Sequence, residues 1–436
     1  MKRVAFHTLG CKLNFSESSE IGRNLEAEGF TRVPFGQMAE VTVIHTCSVT
    51  GAADRKTRQA VSRAVRYSPD GFIVAMGCVA QLKPEEVAGW EGVDLILGTH
   101  EKFDLHKHLT NLEKRKQPEI FSCSLPDESL FHHAHSEAER TRAFLKVQDG
   151  CDYPCTYCTI PAARGSSRNA QVSELVSEAR RIASRGIREI VLTGVNVADF
   201  GRSTGESFEQ LIIALNRLKE VQRFRISSAE PNLMHDDLIR IIAESERFAP
   251  HFHLPLQAGT DKILKLMKRR YLTGLFELRV ESIRKMIPDA GIGADIMVGF
   301  PGETDDDFKD ACRFLESLPL SYLHVFTYSE RPGTPASQYP DKVPHKVREA
   351  RSRELHKLSD RKKEEFMKSQ IGKTEKVIVE TSTKRGTMTG LTGNYLQTDL
   401  VYDPLYLHTD CEVLLTGINA SLHMTGEIIQ NKKNGS

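Results

Sequence analysis

The chain has 436 residues, 39% of them hydrophobic and 27% charged, and its 59 Lys or Arg against 58 Asp or Glu leave a net charge of +1. That length exceeds one ordinary core, so about two or three domains are expected, with the composition of a soluble globular protein. Near-neutrality excludes an overall field for nucleic acid and leaves only local basic patches. No apolar run approaches the roughly 18 residues that span a bilayer. The opening residues carry no apolar core of the signal-peptide kind. Nine cysteines then read as reduced, metal-binding thiols of a cytosolic protein.

From the N-terminus, β-branched and apolar runs at 3–8, 41–46, 71–76 and 93–97 predict strands, and helical spacing fills 16–29 and 52–67. Alternation of this kind builds a parallel sheet covered by helices. Cys11, Cys47 and Cys78 follow directly on the first three strands. Open parallel sheets bind ligands beyond the carboxyl ends of their strands, so the three thiols are expected at one edge. Cluster ligation and plain burial as small hydrophobes both remain open for them. Residues 101–142 lack periodicity and read as a connector. Cys123 has no partner there, and His132, His133 and His135 are expected on an exposed polar stretch rather than a metal site.

A strand at 144–147 runs into Gln148-Asp149-Gly150-Cys151-Asp152-Tyr153-Pro154-Cys155-Thr156-Tyr157-Cys158. Thiolates converging on so short a loop hold a soft metal or an iron–sulfur cluster. Structural zinc is closed by four ligands, so a trio points to a cubane with one iron left free. A zinc knuckle with a distant fourth ligand, or buried thiols without chemistry, stays possible on the residues alone. Further strands are predicted at 189–192, 223–226, 252–256, 293–298 and 323–327. Helices are predicted at 172–185, 207–218, 234–244, 261–269, 274–286 and 304–317. Six strand–helix units of this kind make a partial TIM barrel, whose chemistry sits at the carboxyl ends of the strands. That rule selects Gly194, Asn196, Ser228, Glu230 and Gln257, against ordinary turns as the alternative. Gly299 reads as structural and Cys312 as core.

Residues 342–373 hold eleven Lys or Arg and five Asp or Glu, and Val347, Leu355, Leu358 and Phe366 give them helical spacing with a wide charged face. Short β-like runs at 376–381, 395–399, 411–415 and 421–429 predict a small β-barrel of about five strands, an architecture reused for RNA binding. Lys384, Arg385 and Tyr395 are its candidates for phosphate contact and base stacking. Cys411 reads as core. Boundaries are drawn at 1–113, a linker 114–140, 141–368 and 371–432.

The C-x-x-x-C-x-x-C loop, with the aromatic Tyr157 before its last cysteine, resembles the motif of the radical S-adenosylmethionine superfamily. The resemblance implies a [4Fe-4S] cluster on Cys151, Cys155 and Cys158 whose open iron binds S-adenosyl-L-methionine and whose electron yields a 5′-deoxyadenosyl radical; the cofactor carries the hard chemistry and the protein positions it. It places Tyr157, Gly194, Asn196, Ser228, Glu230 and Gln257 at cofactor-binding positions. Segments 8–14, 45–50 and 76–78 resemble the N-terminal domain of the methylthiotransferases, which insert sulfur into a C–H bond and methylate it. A second [4Fe-4S] cluster on Cys11, Cys47 and Cys78, holding the sulfur, is implied, and a second S-adenosyl-L-methionine gives the methyl group. Segment 50–59 is similar to the branch acting on N6-threonylcarbamoyladenosine in tRNA. His45 departs from the family, which more often has Asn there. The C-terminal stretch resembles the TRAM domain of tRNA-modifying enzymes.

The expected fold is therefore α/β: an N-terminal flavodoxin-like open parallel sheet, a partial (β/α)6 TIM barrel and a small TRAM-like β-barrel. The implied partners are the tRNA anticodon arm and an electron donor such as flavodoxin or ferredoxin, with no membrane and a monomer as the expected state. Three rivals stand beside this reading. One is the same chemistry on isopentenyladenosine or a ribosomal-protein aspartate. Another is a radical enzyme using the N-terminal trio for electron relay. The third is a zinc-dependent RNA-binding protein without catalysis.

Overall fold

The computed structural model describes residues 2–48, 51–122, 130–136, 141–380 and 386–429. Its first layer comprises β1 (Arg3–Thr8), α1 (Lys12–Ala27), β2 (Thr31–Val33), β3 (Val41–Thr46), α2 (Gly51–Tyr67), β4 (Phe72–Gly77), α3 (Cys78–Leu82), α4 (Pro84–Ala88), β5 (Leu95–Leu97) and β6 (Glu119–Phe121). The strands form one sheet in the order β2-β1-β3-β4-β5-β6, parallel throughout. Successive residues of β3 and β4 alternate between two cores. Val41, Val43, Phe72 and Val74 pack with α1, and Ile44, Ile73 and Ala75 pack with α2 and α3. Burial on both faces is why these strands read as unbroken apolar runs. The order 2-1-3-4-5 is flavodoxin-like and has its switch point between β1 and β3.

Two edge strands differ from expectation. β2 and β6 are three residues each, too short to show a period. β6 also falls inside the stretch read as a linker (114–140), where Glu119 N–H donates to Asp94 O at 3.0 Å. His135, expected on an exposed stretch, is buried and bonded to Glu178 at 2.5 Å. Cys123 lies outside the described residues.

The second unit runs through β7 (Arg142–Lys146), β8 (Gln148–Asp149), α5 (Ile160–Arg164), β9 (Arg168–Asn169), α6 (Val172–Ala183), β10 (Glu189–Thr193), α7 (Phe208–Asn216), β11 (Arg223–Ile226), α8 (Asp236–Ala243), β12 (His251–Gln257), α9 (Asp261–Leu266), α10 (Thr273–Met286), β13 (Gly291–Val298), α11 (Asp305–Ser317), β14 (Tyr322–Thr327) and α12 (His345–Gln370). Two parallel three-stranded halves, β7–β10–β11 and β12–β13–β14, meet where Ala229 N–H donates to His253 O at 3.1 Å. Ile190, Phe224, Phe252, Ile292 and Leu323 face the helices in one core. Their neighbours Glu189, Arg223, Arg225, His251, His253 and Tyr322 alternate to the other side, the lumen. Helix α12 covers β14 with Leu355 and Leu358. Its expected basic face is partly spent inside: Arg351 binds Asp305 at 2.7 Å and Lys362 donates to Leu318 O at 2.7 Å.

β15 (Thr374–Glu380), β16 (Thr387–Leu391), β17 (Gln397–Val401), β18 (Asp410–Ile418) and β19 (Met424–Ile428) close a barrel in the order β15-β16-β17-β19-β18. Lys384 and Arg385 lie outside the described residues. Tyr395 is corrected. Its ring stacks on His251 with centroids 4.4 Å apart and takes the Arg225 guanidinium at 4.9 Å, so the face expected to stack on RNA is already occupied from within the chain. The same turn stops the lower end of the lumen. Arg223 donates to Leu391 O at 2.9 Å and Arg225 to Gly393 O at 2.9 Å, both being paired with the buried Glu189.

Candidate active site

The N-terminal trio sits at the switch point. Cys11 caps α1 after β1, Cys47 follows β3, and Cys78 opens α3 after β4. Gly10 is held at φ +101°, and a Cβ there would lie 2.6 Å from Cys47 Sγ, so glycine is what lets the β1 turn close on the second thiol. Desolvation pushes the Cys11 thiol up; Arg164 pulls it down and the neighbouring Cys78 raises it. His45 is fully buried beneath the trio, hydrogen-bonded to Ser18 Oγ through Nδ1 at 2.8 Å.

The central loop hangs from the β8–β9 ribbon. Gly150 has φ +71°, and a Cβ would collide with the Ser166 carbonyl. Cys151 N–H donates to Gly165 O at 3.0 Å, and Cys158 N–H to Cys155 O at 3.1 Å. Burial pushes the Cys151 thiol up to about 12 and the Cys158 thiol up to about 11, with Cys155 adding to both. Thr156 ties the loop to the end of α9, its N–H donating to Met267 O at 3.1 Å and its hydroxyl to Leu266 O at 3.0 Å.

One cleft lies between the central loop and the turns that follow Cys47 and Cys78. A cavity of about 290 Å³ is lined by Cys158 and Thr159 on the barrel side. Its other wall includes Ser48 and Val79, the residues after Cys47 and Cys78. A second cavity of about 200 Å³ at the mouths of β12, β13 and β14 is lined by Tyr157, Gln257, Asp295 and Met297. The two share Cys158, Thr159 and Arg331. Ser48 Oγ stands 3.4 Å from Thr159 Oγ1 across the cleft. Arg331, 7% exposed, holds Asp54 of α2 at 2.7 Å, while its Nε and Nη2 have no hydrogen-bond partner among the described residues.

A buried ionic lattice fixes the two walls. Glu17 on α1 bonds Lys102 at 2.6 Å, Lys146 of β7 at 3.0 Å and Arg164 of α5 at 3.1 Å. Asp149 takes Lys146 at 2.8 Å, Arg164 at 2.9 Å and Arg168 at 3.0 Å. Arg164 also reaches Asn14 at 2.7 Å. Four cations thus face two carboxylates, and the excess positive charge lies beside Cys11 and Cys78. That surrounding suits an anionic thiolate cluster.

Of the residues selected at the barrel mouth, Gly194 packs on Gln148, whose Oε1 accepts from Val195 N–H at 2.9 Å and Asn196 N–H at 2.8 Å. Among the described residues, neither side-chain amide atom of Asn196, which is 3% exposed, nor the buried Ser227 Oγ has a hydrogen-bond partner. Unpaired buried polar atoms at strand ends are what a polar cofactor would satisfy. Ser228 bonds His253 at 2.8 Å. Glu230 is drawn instead to Arg269, a residue the sequence reading missed. Gln257 takes φ +71° and turns into the second cavity. Among the described residues, the only three ligand atoms within 4.8 Å of one another are those of His253, Asp295 and His324. Neither cysteine trio has its three sulfur atoms all within that distance of one another.

Fold and site together define a radical S-adenosylmethionine enzyme. The Radical SAM superfamily model matches residues 145–315, and a model described as uncharacterized protein family UPF0004 matches residues 3–98. The threonylcarbamoyladenosine tRNA methylthiotransferase MtaB of Bacillus subtilis is 36% identical over 405 residues, 91% of this chain and 90% of that protein. That of Aquifex aeolicus is 37% identical over 86% of this chain and 92% of that protein. A tRNA-2-methylthio-N(6)-dimethylallyladenosine synthase from Dictyoglomus thermophilum is 31% identical over 91% of each. Among solved structures, the radical S-adenosylmethionine methyltransferase TsrM of Kitasatospora setae shares the fold, with a TM-score of 0.57, 12% identity, and coverage of 77% of this chain and 74% of that one. The chain belongs to the radical S-adenosylmethionine tRNA methylthiotransferase family.

Proposed function

We propose that the chain replaces the C2 hydrogen of N6-threonylcarbamoyladenosine, beside the tRNA anticodon, with a methylthio group. The observation that carries this reading is the cleft in which the loop of Cys151, Cys155 and Cys158 looks across at the turns bearing Cys47 and Cys78. An aromatic C2–H offers no acidic proton to a base, so a one-electron route is the suitable one. When bound, two [4Fe-4S] clusters and S-adenosyl-L-methionine supply the radical, the sulfur and the methyl group.

The chain's own residues hold and orient. Cys151, Cys155 and Cys158 hold one cluster, and Cys11, Cys47 and Cys78 the other. Asn196 and the hydroxyl of Ser227 offer their unpaired polar atoms to the cofactor. Tyr157 and Gln257 wall the smaller cavity. Lys384 and Arg385, outside the described residues, take the phosphates of the anticodon arm. The threonylcarbamoyl branch is favoured by segment 50–59 and by the MtaB relatives at 36% and 37% identity. Because both trios come from one chain, a monomer suffices. The electron comes from a cytoplasmic donor such as flavodoxin or ferredoxin, and no described helix is long and apolar enough to cross a membrane.

Nucleoside analysis of tRNA from a deletion strain tests the substrate. Loss of only the methylthio-threonylcarbamoyl product is expected. Loss of only the methylthio-isopentenyl product would move the chain to the other branch.

A further inference from the structure

The end of α9 does two jobs at once. Lys268 adopts φ +53° and Arg269 N–H returns to Leu264 O at 2.9 Å, a left-handed helix stop. The same turn receives the cysteine loop through Met267 O, and it throws Arg269 under that loop. There the guanidinium Nη1 donates to Cys155 Sγ at 3.1 Å. Its Nη2 donates to the Tyr271 hydroxyl oxygen at 2.9 Å and pairs with Glu230. Tyr271 is itself anchored, its hydroxyl donating to the Pro255 and Leu256 carbonyls of β12. The Arg269 side chain is 3% exposed and that of Glu230 13%. A planar fork so held has little freedom to leave the sulfur.

Hydrogen bonds to ligand sulfurs and nearby net charge set the reduction potential of an iron–sulfur cluster. We propose that Arg269 positions Cys155 and raises the potential of the cluster held by Cys151, Cys155 and Cys158, with Glu230 limiting how much of its charge the cluster feels. The donor stabilises the reduced, more negative state. The carboxylate opposes it. This rests on the cluster assignment given under the proposed function.

The test is an EPR-monitored redox titration of the full chain carrying Cys11→Ala, Cys47→Ala and Cys78→Ala, so that a single cluster contributes. In that background Arg269→Met should lower the midpoint and Glu230→Gln should raise it. Each shift should reach at least a tenfold change in the reduction equilibrium, 59 mV for one electron. Arg269→Lys, which keeps the charge and loses the fork, should fall between the parent and Arg269→Met. Should Arg269→Met hold no cluster, the opposite displacements of Arg269→Lys and Glu230→Gln still carry the proposal. Midpoints of Arg269→Met and Glu230→Gln that stay within that margin of the parent, or arginine and glutamate variants that move in the same direction, overturn it. A parent without acid-labile sulfide or any signal would overturn the cluster assignment as well, so the two failures are told apart.

Discussion

Glu17→Gln is the sharpest perturbation of the framework that holds the two trios in register. Glu17 is fully buried and bonds three cations, Lys102, Lys146 and Arg164. Burial alone would raise its carboxyl, yet the cations hold it well below the usual range. The loss is not three pairs. Asp149 still serves Lys146 at 2.8 Å and Arg164 at 2.9 Å, whereas Glu17 is the carboxylate recorded against Lys102 among the described residues. The substitution therefore strands one buried ammonium, which costs about 3–5 kcal/mol. Adding Lys102→Met removes the stranded charge and should recover about half of that, a coupling a double-mutant cycle reads directly. Because Glu17 is on α1 and Lys146 on β7, hydrogen exchange in both elements should accelerate together, alongside a lower denaturant midpoint. A Glu17→Gln protein within about 0.5 kcal/mol of the parent would refute this reasoning, since that is the range of ordinary surface changes.

Gly150→Ala should halve the iron bound per chain, because the φ of +71° and the Ser166 carbonyl leave no room for a methyl group; iron and sulfide analysis checks it. Glu189 supplies a pH dependence. Burial would raise its carboxyl, but Arg223 and Arg225 hold it well below the carboxylate range. A depressed folded value means stability that is complete above the unfolded pKa of about 4.3 and is lost as pH falls below it. The parent should therefore lose more stability than Glu189→Gln between about pH 5 and pH 3 in denaturant titrations. Tyr395→Ala should loosen the C-terminal barrel by about 2–3 kcal/mol through lost stacking and cation–π contact. Proteolysis after α12 should quicken, with S-adenosyl-L-methionine cleavage in the absence of RNA unchanged.

Much of this architecture was legible because local pattern and tertiary role agree. The parallel strands are buried on both faces and read as apolar runs; the barrel strands sit between helices with 3.6-residue spacing. The six cysteines of the two trios are short-range signals, each at a strand end or in one loop. What escaped is non-local. Arg269 and Arg270 are adjacent charges in a turn, and nothing in their order says that the left-handed Lys268 swings the first beneath Cys155. Tyr395 lies in a run of Gly and Asn that reads as an exposed tip. It is drawn inward because Arg223 and Arg225 need carbonyl acceptors at the floor of the lumen. The alternation Arg223-Phe224-Arg225-Ile226 held a clue, since two arginines on one face of a central strand demand partners. Glu17 and Lys102 look like solvated positions until α1 is seen lying against β7.

Anaerobic turnover on an anticodon-arm RNA bearing N6-threonylcarbamoyladenosine, read by mass spectrometry, bears most directly on two facing trios with separate roles. The intact chain should yield the C2-methylthio product, whereas the Cys11→Ala, Cys47→Ala, Cys78→Ala variant should still release 5′-deoxyadenosine but leave the RNA unthiolated. Methylthio product from that variant would contradict the account.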